Sequence, residues 1–139
     1  MSVLERWQDE VLAIFRIVIG FLFATHGLSS LFGVLGAEGR QVEAFAWPGW
    51  WAAVIQLVGG FAVMIGLGTR VAALLCSGSM AYAYFIVHQP DGLFPIENGG
   101  EKAALFAFAF LLIAFLGAGT WAIEDGLKRT ERERQRATA

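Results

Sequence analysis

Apolar residues gather into four long runs, residues 11–33, 50–68, 71–87 and 102–123, separated by short polar or glycine-rich stretches. Each run is close to the ~20 residues that cross ~30 Å of hydrocarbon. Backbone groups in lipid must be satisfied within their own segment, so runs of Ala, Leu, Phe and Gly at this length predict helices rather than strands. The expected architecture is an all-α membrane protein, a four-transmembrane-helix bundle. The third run is the shortest and is interrupted by Ser77, Gly78 and Ser79, which makes it the weakest of the four spans.

The cations orient the runs. Arg6, Arg70, Lys128, Arg129, Arg132, Arg134 and Arg136 fall on one side, against Arg40 and Lys102 on the other. The positive-inside rule then places both termini in the cytoplasm, with Trp47, Trp50 and Trp51 at the outer interface and Trp7 and Trp121 at the inner one. The chain reads as a multi-pass protein of the cell inner membrane. Residues 1–127 form the membrane domain and residues 128–139 a charged cytoplasmic tail, which either extends the fourth helix or frays.

Composition supports this and removes several function classes. The 139 residues are 57% hydrophobic and 16% charged, with a mean hydropathy of +0.60, outside the range of an ordinary soluble domain. A net charge of −2 argues against a nucleic-acid partner, whose binding rests on clustered cations. Cys76 is the sole cysteine, so an internal dithiol is excluded, and no zinc-ligand pattern or phosphate-binding loop occurs. No metal site is expected. Glu5, Asp9 and Glu10 precede an apolar run that lacks a small-residue cleavage site, which reads as a retained helix, not a signal peptide.

The chemistry begins in the first run, which carries Arg16 and His26 within hydrocarbon depth. At about 100° per residue, Arg16, Gly20, Phe23, Gly27 and Ser30 share one face, small and polar enough to point into the bundle, while Ile14, Val18 and Thr25 face lipid. His26 stands roughly 80° away and ~15 Å further along, so the two are not direct partners. Arg16 either snorkels to the cytoplasmic headgroups or turns inward, where its planar fork of donors is a candidate for binding an anion or a carbonyl headgroup.

A second polar stripe runs along the third helix through Ser77, Ala81, Tyr84 and His88, and Gln56 lies on the Gly60 side of the second. With His26 these residues line an expected interhelical cleft. Their plain structural alternative is hydrogen bonding that holds the helices together. Before the fourth helix stands Glu97-Asn98-Gly99-Gly100-Glu101, where Asn98 and Glu101 suit a helix start. The candidate proton-handling residues are therefore His26, His88 and Glu101. The candidate substrate contacts are Arg16, Gln56, Tyr84 and Asn98. Two histidines also admit a haem, but without any supporting motif.

Taken in order, Arg16, Gly20, His26-Gly27, Leu31-Phe32-Gly33, Gly59-Gly60, Gly66-Leu67-Gly68-Thr69-Arg70, His88, Asn98-Gly99-Gly100-Glu101 and Gly117-Ala118-Gly119-Thr120-Trp121 resemble the DoxX family of small four-helix membrane proteins. Two departures stand out. Ser30 occupies the place of a lysine common in the family after the His-Gly pair, and Ala122, Ile123 and Glu124 replace its Ser, apolar residue and Asp. The resemblance implies membrane redox chemistry: an oxidoreductase component handling a quinone or thiol substrate, together with a soluble oxidoreductase partner. With no flavin, iron–sulfur or haem motif, electrons would pass directly between substrate and quinone or through that partner. The alternative is a non-catalytic subunit or assembly factor recruiting a soluble redox enzyme through its tail. A small exporter ranks third, because the charged residue of the first helix is a cation rather than a carboxylate.

Overall fold

The computed structural model describes residues 3–138, whose regular secondary structure is helical, with no strand among them. After a single turn at Val3–Arg6, α1 runs over Gln8–Phe32, α2 over Gly49–Ile65 and α3 over Thr69–Asp91. A short turn at Pro95–Asn98 leads into α4, Glu101–Leu116, and the chain ends in α5, Ile123–Thr138.

Helices α1 and α3, of 25 and 23 residues, are long and apolar enough to cross a membrane, while α2 is shorter and α4 has 16 residues. The third run is thus longer than its sequence suggests. Its last two turns widen to π-helical geometry at Ala83–His88 and then tighten to a 3₁₀ turn at Gln89–Asp91, so the helix continues past the residues where apolar character fades.

The fourth run is corrected in the opposite direction. Helix α4 stops at Leu116, and residues 117–122 leave the helical path before α5 begins. Gly117 (φ 96°) and Gly119 (φ 66°) take backbone conformations that favour glycine. The charged tail is therefore a separate helix, exposed along residues 125–137, and not a continuation of α4.

The helices pack as two pairs, α1 with α2 and α3 with α4. The first seam is built on glycine. A Cβ at Gly20 would stand 2.7 Å from the Gly60 carbonyl oxygen, and one at Gly27 would stand 2.6 Å from that of Ala53, so only hydrogen lets the two backbones approach this closely. Between the pairs, Phe23, Val63, Met80, Phe110 and Ile113 form the core. The outer faces are apolar as well: Ile14 and Val18 on α1, Leu74 and Leu75 on α3, and Leu105, Phe108 and Phe115 on α4 are exposed. Such continuous apolar surface suits lipid rather than water.

Candidate functional site

The two ionisable residues of α1 meet opposite surroundings. Arg16 is fully buried, with 0% of its surface exposed, which settles its direction: it points inward and does not snorkel. Its Nε donates to the Ala118 carbonyl at 2.7 Å. Nη1 donates to Val63 and Met64 at 2.8 and 2.6 Å, and Nη2 donates to Thr120 and Trp121, each at 3.3 Å. A guanidinium has five N–H donors, so none is left for a ligand.

The acceptors explain why burial is tolerated. Val63 and Met64 lie in the last turn of α2, where carbonyls lack the regular helical partner and carry the negative end of the helix dipole, although the Val63 carbonyl also accepts from Gly66 N–H at 3.2 Å. Ala118, Thr120 and Trp121 belong to the non-helical link after α4. Glu124 and Asp125 in the first turn of α5 add countercharge nearby. Arg16, expected among the substrate contacts, thus spends its donors on backbone carbonyls here. It ties the end of α2 and the 117–122 link to α1, and Thr120 N–H donating to the Asp9 carbonyl at 3.3 Å and Glu124 N–H to that of Gly66 at 3.0 Å continue the same knot.

His26 lies toward the other end of α1, at the mouth of a cavity of about 200 Å³ lined by Phe23, His26, Gln56, Met80, Ala83, His88, Lys102, Ala103 and Phe106. Helices α1 to α4 all contribute. Gln56 stands in a π-helical segment, Ile55–Gly59, and His88 ends another, Ala83–His88. Such widened turns recur at functional sites, because they displace a side chain from its α-helical heading.

His88 Nδ1 lies 3.1 Å from the Asn98 carbonyl oxygen. A carbonyl only accepts, so Nδ1 carries the proton of this bond and Nε2 of the neutral ring is left as an acceptor. The His26 ring stands edge-on to Phe106, with centroids 5.9 Å apart at 85°. Phe23 packs on Phe106 at 5.1 Å and on Phe110 at 4.6 Å, which gives the cavity an aromatic floor. The side chains of His26, Gln56 and Lys102 make no hydrogen bond to the other described residues.

The cavity brings together some of the candidates read from the residues and leaves out the others: it unites His26, Gln56 and His88. Glu101, expected beside the histidines, is exposed at the first turn of α4 and is not among the lining residues, whereas its neighbour Lys102 is. Asn98 is buried in the turn before α4, where its Nδ2 donates to the Gly92 carbonyl at 2.8 Å and its Oδ1 accepts from Gly100 N–H at 2.8 Å. Its part is to shape that turn and so hold the carbonyl that orients His88.

Tyr84 also lies elsewhere. It lines a separate apolar hollow of about 330 Å³ between α3 and α4, with Ser77, Ala81 and Phe108, and its hydroxyl donates to the Leu93 carbonyl at 3.4 Å. The stripe read along α3 thus divides at the π-helical turns: Ser77, Ala81 and Tyr84 face one space and His88 the other. Ser77 Oγ donates to the Ala107 carbonyl at 2.8 Å, the interhelical bond of the structural alternative.

Lys102 is the residue that sequence reasoning misses, counting it only as a topological charge. The available signal is its i, i+4 spacing to Phe106, which places both on one face of α4. No carboxylate lines the cavity, and no cluster of three or more His, Cys, Asp or Glu suited to a metal occurs among the described residues. The site is therefore a small hollow with an aromatic floor and a rim of imidazole, amide and ammonium groups. Its polar groups can donate and accept hydrogen bonds.

A helical protein with such apolar outer faces suits a membrane. The chain belongs to the DoxX family, a family of small membrane proteins, whose profile matches residues 11–89. It is 38% identical over 135 residues to an uncharacterized protein of Haemophilus influenzae, covering 90% of this chain and 96% of that one. It is 27% identical over 131 residues to the inner membrane protein YqjF of Escherichia coli, covering 91% and 98%. No solved structure matches it.

Proposed function

We propose that this chain is a four-span protein of the inner membrane with both termini in the cytoplasm, and that it binds a quinone ring as a component of a membrane oxidoreductase. The membrane domain of residues 1–127 carries the site, and residues 128–139 are its cytoplasmic tail. The name of the Escherichia coli relative supports the location, and the separation of Trp7 and Trp121 from Trp47, Trp50 and Trp51 to opposite ends supports the topology.

The observation that carries the reading is the hollow at His26. A cavity of about 150 Å³ accommodates benzene, so about 200 Å³ suits a substituted six-membered ring stacked against Phe23 and Phe106. Lys102 and Gln56 donate to a ring oxygen. His88 Nε2 takes a proton from a hydroxyl of the reduced ring or returns one to a carbonyl of the oxidised ring, with Asn98 fixing its tautomer, and His26 does the same at the mouth. The electrons come from a reduced thiol or sulfur compound, or from a partner subunit.

The test is to purify the protein in detergent and titrate it with a benzoquinone, following binding by calorimetry and co-purified quinone by mass spectrometry. Saturable binding that is lost in the His26→Ala, His88→Ala double variant is expected. Equal binding by wild type and double variant would overturn the site.

A second reading draws on α5, which is solvent-exposed and strongly charged, with Arg129 Nε 3.2 Å from a Glu133 carboxylate oxygen. A helix projecting from the membrane end suits recruitment of a soluble enzyme. Deletion of residues 128–139 would then abolish co-purification of that partner and leave quinone binding intact.

A further inference from the structure

Helices α1 and α4 touch far less than α1 and α2 or α3 and α4 do, and between them lies an apolar groove of about 630 Å³. Ile19 and Leu22 form one wall, and Leu105, Ala109 and Leu112 form the other. His26, Lys102 and Phe106 line both this groove and the polar hollow. The two spaces therefore adjoin, with His26, Lys102 and Phe106 as their common border, and among the described residues lining the groove these include its charged and imidazole side chains.

We infer that the ligand is an amphiphile, and that the groove between α1 and α4 holds its aliphatic tail while the hollow holds its polar ring. This rests on the reading that the hollow binds a quinone ring, and it adds the ligand class and the route: a long-tailed, membrane-dissolved quinone that arrives sideways from the bilayer. Polarity is segregated as such a molecule requires, with imidazole, amide and ammonium groups at one end and hydrocarbon along the rest. From Lys102 to Leu112 the groove follows α4 for about 15 Å at ~1.5 Å per residue, much further than a ring extends. Packing explains why the opening is here. Glycines close the α1–α2 seam, whereas the α1–α4 seam has Leu and Phe splayed toward lipid.

The experiment compares two probes, a decyl-tailed benzoquinone and its tailless methyl homologue, on wild type and Ala109→Trp in the same detergent. An indole at position 109 fills the groove and leaves the hollow untouched. The expected result is at least a tenfold weaker binding of the tailed probe with the tailless probe unchanged, the latter also reporting that the variant is folded. Unchanged binding of both probes would overturn the inference while leaving the ring site standing, with an ordinary acyl chain as the groove's occupant. If Ala109→Trp loses both probes, Leu112→Trp, further from the hollow, decides by the same criterion: selective weakening of the tailed probe supports the inference and any other pattern overturns it. Failure of both probes to bind wild type would instead remove the ring site itself.

Discussion

The two ends of α1 solve opposite problems with similar material. At the Arg16 end a cation is enclosed until every donor meets a carbonyl. At the His26 end four polar side chains surround a hollow and each keeps a free hydrogen-bonding group. The first arrangement is complete and has nothing to offer a ligand. The second is incomplete within the chain, as a binding site has to be. Ten residues of one helix, some ~15 Å, separate a structural knot from a candidate site, and ionisable character alone does not tell them apart.

Variants can break this contrast, beginning with the largest effect. Arg16→Ala removes five donors and strands buried carbonyls, so a loss of at least ~3 kcal/mol in unfolding free energy is expected, read as a lowered denaturation midpoint in detergent. Arg16→Lys should recover only part, since an ammonium lacks the planar fork. A wild-type midpoint for Arg16→Ala would erase the distinction between the ends. Gly27→Leu should cost about 1–3 kcal/mol or more by the same measurement, because the new side chain meets backbone of α2 that cannot yield locally. A neutral result would mean that α1 and α2 are not in close contact there.

At the open end His26→Ala should behave differently: benzoquinone binding weakens about tenfold, or ~1.4 kcal/mol, while the midpoint moves by no more than ~0.5 kcal/mol. A large loss of stability with binding retained would make His26 structural like Arg16. Arg70 tests the closed end more gently. It is exposed and donates from Nη1 to the Ala114 and Phe115 carbonyls at 3.0 and 2.7 Å, at the end of α4. Arg70→Ala should cost about 1 kcal/mol, a smaller midpoint shift than that of Arg16→Ala. Last, Glu101→Ala should leave both midpoint and binding unchanged, within ~0.5 kcal/mol. A clear loss of binding would return that carboxylate to the site.

Much of the scaffold is legible in the residues. The periodicity of α1 alone puts Arg16, Gly20, Phe23 and Gly27 on the buried face and Ile14 and Val18 on the outer one, as observed, because a regular helix converts spacing directly into direction. The candidate site is less so. Polarity within apolar runs points to Gln56 and His88, yet it also groups Tyr84 with His88, since the π-helical turns between them leave no mark in residue type. A carboxylate suits a helix start, which favours Glu101 over its neighbour Lys102, and which of two adjacent residues faces a cavity depends on how α4 is rotated against α1.

The sequence by itself determined the helical class, the DoxX family and the inward face of the first helix, through hydrophobic runs and local spacing. Only the tertiary structure decided what Arg16 is for. Its partners lie 47 to 105 positions away along the chain, and they are backbone carbonyls, which every residue possesses and which no pattern of side chains can announce. The same holds for the hollow and its groove. They exist because α1 meets α2 through glycine and meets α4 through splayed leucine and phenylalanine, a difference of fit between helices and not of character within any one of them.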